Sequence, residues 1–233
     1  MPLTTDVFVL DNPAWHSLNG PHSRFAVAHG SARRYHPEVS VFTALPDERD
    51  EQSWRDLATL VGPGVDIPVT GAVVEPPKDW EIVGDGQGVQ MIDVSVDARP
   101  DDEAIVLGAA DADEMAALVE RSKPGPWCPR TYELGTYLGI RREGRLVAMA
   151  GERLHPPGWT EISAVCTDAD QRGQGLAGRL VRAVAFNIRE RGDKALLHAA
   201  ATNTNAIRLY EALGFELRRH TKFVLVRTPQ EES

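Results

Sequence analysis

Glycines at 173, 175 and 178 spell G-x-G-x-x-G within QRGQGLAGRL, a spacing that brings main-chain amides close to phosphate. Two chemistries use it. A dinucleotide fold needs the first glycine at the end of its strand and an acidic residue about 20 positions further on to hold a ribose. Here Asp168, Ala169, Asp170, Gln171 and Arg172 separate the preceding strand from Gly173, and LLHAAA, which has no carboxylate, follows at that distance. NAD is therefore disfavoured. The other pattern runs from Arg172 through Gly175 to Ala177 and opens a helix. Glycines and a small residue let successive N–H groups face outward, and the helix N-terminus adds about half a positive charge, so main chain alone holds a pyrophosphate. Such a cradle without a lysine suits a carrier that is held rather than cleaved at phosphorus.

The elements that position this loop follow from periodicity. AIVLGAA (104–110) reads as a strand and ADEMAALVERS (112–122) as a helix stopped before Pro124. TYLGIRREGRLVAMAGERL (136–154) reads as two strands around a turn at Glu143-Gly144, and TEISAVCT (160–167) as a third. LAGRLVRAVAFNIRERG (176–192) places Leu176, Leu180, Val181, Val184 and Ile188 on one helical face. ALLHAAA (195–201) is a strand, NAIRLYEALG (205–214) a helix ended by Gly214, and FELRRHTKFVLVRT (215–228) a long strand or hairpin. Strand, helix, three strands, helix, strand, helix, strand describes an α/β chain of the α+β type with a mixed sheet. Residues 1–97 are punctuated by Pro and Gly. They hold a short strand candidate at 40–45, a helix at 50–61, strands broken by turns over 61–81, a Gly84–Gly88 run and a strand at 89–96. A boundary near residue 97 divides the chain into 1–97 and 98–233.

Composition excludes several classes. The chain carries 34 acidic against 25 basic residues, a net charge of −9, so it has no electrostatic footprint for nucleic acid or an anionic membrane. The excess is local: residues 1–100 hold 15 Asp/Glu against 7 Lys/Arg, which leaves the cradle in a nearly neutral half. Cys128 and Cys166 form neither a disulfide framework nor a metal-ligand spacing, and the histidines are scattered, so no metal is expected and a reducing cytoplasm fits. No apolar run approaches the ~18 residues of a membrane span, and the first residues lack the pattern of a signal peptide.

VCTDADQRGQGLAGRL followed by NTNAIRLYEALGF resembles the two signature segments of GNAT-type acyl-CoA N-acyltransferases. GRLVAMAGERL and TEISAVCT resemble the FR47-like branch, near glycine N-acyltransferases. The resemblance covers about 100–228 and is strongest over 145–215. Some relatives carry a degenerate N-terminal half of similar architecture. The resemblance implies that the strand before the cradle splays from its parallel neighbour, so that Val165, Cys166 and Thr167 offer backbone groups to pantetheine. It implies that amides around Arg172, Gly173, Gln174, Gly175, Leu176, Ala177 and Gly178 meet the pyrophosphate. Asn203 is implied to hydrogen-bond the cofactor and Tyr210 to protonate the departing thiolate.

A phenol near pKa ~10 giving its proton to a thiolate near ~8.5 is uphill by roughly 2 kcal/mol, so the site must supply a compensating field. Five residues before Asn203 the family often carries a Glu; this chain has His198. An imidazole near ~6.5 is better matched to an α-amine than to a lysine amine. Glu161 and Glu152 are rival bases, acting through water. A free N–H at Cys166 or Thr167 would stabilise the oxyanion. Arg179, Arg182, Arg189 and Arg191 dot the long helix, either as a solvated face or with one arginine near its start meeting ribose phosphate. The loop Lys123–Arg130, with Trp127, is either an acceptor-binding segment, as the resemblance implies, or a packed connector.

The expected activity is transfer of an acetyl group from acetyl-CoA to a primary amine, on a small molecule or peptide, by direct attack in a ternary complex. The alternative is a non-catalytic acyl-CoA-binding regulatory module. Residues 1–97 would cover the acceptor cleft, join two copies as a homodimer, or bind something else.

Overall fold

The computed structural model describes residues 7–71 and 75–230. Its strands are β1 (Ala26–His29), β2 (Ala32–Tyr35), β3 (Thr43–Ala44), β4 (Asp66–Thr70), β5 (Glu81–Asp93), β6 (Ile105–Leu107), β7 (Tyr137–Arg142), β8 (Arg145–Glu152), β9 (Trp159–Thr167), β10 (Lys194–Ala200) and β11 (Phe215–Arg227). They form one mixed sheet in the order β1-β2-β3-β4-β11-β5-β10-β9-β8-β7-β6. The β9–β10 and β3–β4 pairs are parallel and the others antiparallel. The helices are α1 (Pro13–Leu18), α2 (Glu51–Val61), α3 (Ala112–Ser122), α4 (Leu176–Glu190) and α5 (Thr204–Leu213).

Local chemistry accounts for most of these limits. Asp50 and Ser53 form a reciprocal capping box that starts α2. Glu143 (φ 52°) and Gly144 (φ 80°) both adopt the left-handed region that a two-residue hairpin between β7 and β8 requires. Gly214, at φ 103°, ends α5 where an added Cβ would meet the backbone of Ser95 at 2.6 Å. β3 keeps only two residues of the strand expected over 40–45, and β11 is one strand rather than a hairpin.

The largest departure from expectation is β5. The Gly84–Gly88 run expected to break the chain lies inside a 13-residue strand, paired with β11 from Glu81 to Asp93 across two irregularities. On its other edge β5 pairs with β10, His198 opposite Gln90. The boundary near residue 97 therefore divides the chain but not the sheet, because a strand from before it sits between two strands from after it. Residues 72–74, within the stretch expected as broken strands, lie outside the described residues.

Helices α4 and α5 cover one face of the sheet, where Leu180, Val181, Val184 and Ile188 of α4 pack with Val147, Ile162 and Leu197. The opposite face is covered by α3, through Met115 and Leu118 against Tyr137 and Met149, and by the N-terminal segment, where Leu10 meets Trp159 and Leu196. His22, behind α1, joins the halves. Its Nδ1 lies 2.9 Å from the Tyr35 hydroxyl, its Nε2 3.0 Å from the Leu134 carbonyl, and its ring 4.5 Å from that of His155.

Candidate active site

Strands β9 and β10 pair from Lys194–Trp159 to Leu197–Ile162 and no further, although β9 runs on to Thr167 and β10 to Ala200. The parting has a local cause. Between Ser163 and Cys166 β9 carries one more residue than β8 does between Gly151 and Met149, and Ala164 in this bulge stands at φ 52°. The bulge bends β9 away and leaves a gap beside Val165–Thr167. Asp168 N donates to Val147 O of β8 at 2.8 Å, so strand alternation turns the Thr167 amide the other way, towards the gap, and the Cys166 amide towards β8. Of the two oxyanion donors expected from sequence, alternation thus favours Thr167. The Thr167 hydroxyl is buried without a hydrogen-bond partner among the described residues.

The cradle follows directly. Gly173 (φ 80°) and Gly175 (φ 74°) take left-handed conformations, and Gly175 stands at the N-terminus of α4 with no side chain capping it. Among the described residues the amides of Gly173 to Gly178 have no hydrogen-bond partner, and Arg172 to Gly175 are exposed. Asp168, held by Arg121 (2.9 Å) and Arg145 (2.7 Å), anchors the chain between β9 and this loop. Arg172 Nε reaches the Thr167 carbonyl at 3.4 Å, and the Gln174 amide reaches Gln171 at 3.1 Å. These groups fit a diphosphate entering from solvent with an arm passing into the gap. The arginines of α4 do not reach into it: Arg179 pairs with Asp101 and Glu103, Arg182 with Asp97, Arg189 with Asp93 and Arg191 with Glu152.

On the α4–α5 side of the gap, Tyr210 packs edge-on to Phe215 at 6.2 Å, and burial pushes its phenol up to about 12. Its hydroxyl has no hydrogen-bond partner among the described residues. Asn203 caps α5, its Oδ1 accepting from Ala206 N at 3.2 Å, which leaves its amide N–H groups for a ligand. Cys166 is buried and its thiol is pushed up to about 12 by burial, which removes it as a nucleophile.

On the other side of the sheet a polar network, which sequence spacing does not reveal, surrounds His198. Glu161 is fully buried, takes two hydrogen bonds from Arg153 (2.9 and 2.5 Å) and lies 2.7 Å from His198 Nδ1. Despite its burial, Arg153 and His198 hold this carboxyl far below the usual carboxylate range. Gln90 Nε2 sits 2.8 Å from the Leu10 carbonyl and 3.0 Å from His198 Nε2, while Gln90 Oε1 accepts from Arg218 at 2.8 Å. Leu10 demands a donor and Arg218 an acceptor, which fixes the Gln90 amide. It therefore donates to His198 Nε2, and the ring carries its proton on Nδ1, pointed at Glu161. Glu152 is occupied by Arg191 (2.8 Å) and His155 (3.3 Å).

His198, Gln90 and Arg153 line a cavity of about 360 Å³ between β4, β11, β5 and the N-terminal segment. Trp127, from the loop expected to bind the acceptor, packs edge-on to Tyr137 at 5.5 Å beside a much smaller recess that also touches Arg153. Gln90, Arg218 and the Leu10 carbonyl belong to the site but carry no motif. Their only signal is pairing across the sheet, which no local spacing records.

A sequence profile for FR47-like protein matches residues 137–224. A putative acetyltransferase from the GNAT family of Novosphingobium aromaticivorans is 38% identical, with a TM-score of 0.84 over 95% of this chain and 99% of that one. A GCN5-related N-acetyltransferase from Kribbella flavida shares the fold, with a TM-score of 0.60 at 18% identity over 92% of this chain and 95% of that one. A mycothiol acetyltransferase of Thermobispora bispora is 32% identical over 106 residues, 42% of this chain and 34% of its own length. The chain thus spans about a third of the length of this curated relative.

Proposed function

Because this chain belongs to the GNAT family and matches the FR47-like profile over residues 137–224, we propose that it transfers an acetyl group from acetyl-CoA to a primary amine within a ternary complex. One observation carries the reading: the amides from Gly173 to Gly178, without partners among the described residues, stand at the mouth of a gap between two parallel strands. The first turn of any helix leaves amides without intrahelical partners, and here Gly173 to Gly175 extend that row beyond the helix, which suits an anion. Thr167 N–H, facing the gap, serves as the oxyanion donor.

The two proton-transfer residues lie on opposite faces of the sheet, Tyr210 with Leu197 and His198 with Glu161. The amine enters from the 360 Å³ cavity and displaces the Gln90 N–H from His198 Nε2, which takes the ammonium proton. Its nitrogen forms a bond to the thioester carbonyl carbon, the carbon–sulfur bond breaks as Tyr210 protonates the sulfur, the second proton on nitrogen leaves to solvent, and the Tyr210 phenolate takes one back from solvent. Glu161, with both oxygens engaged and its proton long lost, steadies the imidazolium instead of acting as base. Residues 1–97 supply Leu10 and Gln90 to this site and form one wall of the acceptor cavity.

A thiol-release screen of amino acids, peptides and small amines, with His198→Ala and Tyr210→Phe beside the wild type, tests the reading. CoA release that drops in both variants supports it. Tight acetyl-CoA binding with no release from any amine would instead make the chain an acyl-CoA-binding module.

A further inference from the structure

The cavity beside His198 owes its shape to the glycine run. In the β5–β11 register Gly88 faces Thr221, Gly86 faces Phe223 and Gly84 faces Leu225, on the face that carries Gln90. Gly84 and Gly86 are thus bare on this side, whereas Gly88 is covered by the Phe223 ring, which an added Cβ would meet at 2.5 Å. A Cβ added at Gly86 meets nothing within 4 Å, so the space above it is open, and at Gly84 it meets only Leu225, at 3.6 Å. Neither glycine is at positive φ, so backbone conformation does not call for glycine at either position. The result is a furrow floored by main chain at Gly84 and Gly86 and by the Phe223 ring over Gly88, with Leu225 beside it; both large apolar side chains are left more than a third exposed.

The charges along this furrow are largely neutralised within the protein. Arg153 is taken by Glu161, and Asp11 by Arg218 and Arg219. Asp85 and Lys222, of opposite sign, lie on neighbouring strands further out. What remains for a ligand is apolar: Phe42 and Leu154 with Phe223 and Leu225. Along β5 the furrow runs from Gln90 past Gly86, four residues or about 13 Å.

The geometry points to an acceptor that is a primary amine on an elongated apolar body, its nitrogen at His198 and its body laid along β5, over the Phe223 ring and onto Gly86. This rests on the transfer reading above for the nitrogen's place, and Gly86 sets how far the body reaches. An apolar chain gains with each group it buries, whereas a polyamine strips water from its charges over the same apolar stretch and reaches the Asp85 carboxylate only at the far end.

A series of unbranched primary alkylamines from butylamine to dodecylamine, with spermidine as the polar control, tests the assignment. Both kcat/KM with acetyl-CoA and calorimetric Kd with CoA present are measured, for wild type, Gly86→Leu and Phe223→Ala. In the wild type, affinity and kcat/KM are expected to climb about three- to fourfold per methylene until the chain spans the furrow. Gly86→Leu should end the climb several carbons earlier with the acetyl-CoA Kd unchanged. Phe223→Ala, at an exposed position, should flatten it. A flat series in the wild type, or the same series in Gly86→Leu, overturns the assignment. A length-dependent Kd without CoA release would sink the transfer reading and keep the furrow; CoA release with a flat series would do the reverse.

Discussion

Tyr210 and His198 are prepared very differently for proton transfer. Tyr210, pushed up to about 12, is some 3.5 units above a thiol near ~8.5, so the transfer to sulfur is uphill by about 5 kcal/mol. Burial alone makes the phenol a poorer acid, and the positive end of α4 must offset this as negative charge builds on sulfur. Tyr210→Phe is expected to lower kcat about 100-fold with the acetyl-CoA Kd unchanged. An unchanged kcat would make Tyr210 a packing partner of Phe215. At His198 the Gln90 amide covers the nitrogen that would take the proton. Gln90→Ala uncovers that nitrogen, so KM for the amine should change with the acetyl-CoA Kd unaltered, whereas His198→Ala should lower kcat about 100-fold. A His198→Ala kcat matching the wild type would place the base elsewhere. Gly173, Gly175, Asn203 and Tyr210 are legible in sequence because their spacing is local. Gln90 and Arg218 are not, since 128 positions separate two residues that share one hydrogen bond.

At the scale of elements, the α4 entry and the β9 bulge define the proposed CoA site together. Gly175→Val forces a β-branched side chain to φ 74° at the helix start, a strain of about 1–2 kcal/mol. It also sets a branched side chain among the free amides. The expected outcome is a rise of at least about tenfold in acetyl-CoA Kd with Tm lowered by only a few degrees, read by calorimetry and thermal unfolding. An unaltered Kd would mean that the diphosphate binds elsewhere. Helices α2 to α5 and the β7–β8 hairpin are readable beforehand because turn residues and apolar stripes agree, whereas the six-residue α1 is too short to show a stripe. β5 is not, because glycine signals a turn locally while here the glycines run inside a paired strand, one of them making room for the Phe223 ring. The bulge at Ala164 is likewise silent, since alanine gives no hint of a left-handed conformation.

Across the whole molecule, His22 ties α1 and β2 to the loop before β7. Burial and the neighbouring His155 lower its pKa to about 3, while the unfolded chain protonates near ~6.5. Between those values the unfolded state binds the extra proton. Stability is therefore present above about pH 6.5 and is lost as pH falls towards about 3, by about 2 kcal/mol between pH 7 and pH 5. Urea unfolding at the two pH values should show that drop in the wild type and a smaller one in His22→Asn. Equal drops would assign the loss to other groups. Glu161 adds to the acid sensitivity with the same sign at lower pH, because its carboxyl is held down in the folded state.

The interleaving of β5 between β10 and β11 also bears on biogenesis. The chain reaches Asp93 about 100 residues before Lys194, and at a ribosomal pace of about 5–20 residues per second that is a wait of about 5–20 s. Throughout it the strand carrying Val89 and Met91 has both edges open. Folding upstream of residue 97 cannot finish until β10 and β11 have been made, and a nascent chain stalled before β10 would present a sticky ribbon for a chaperone to shield.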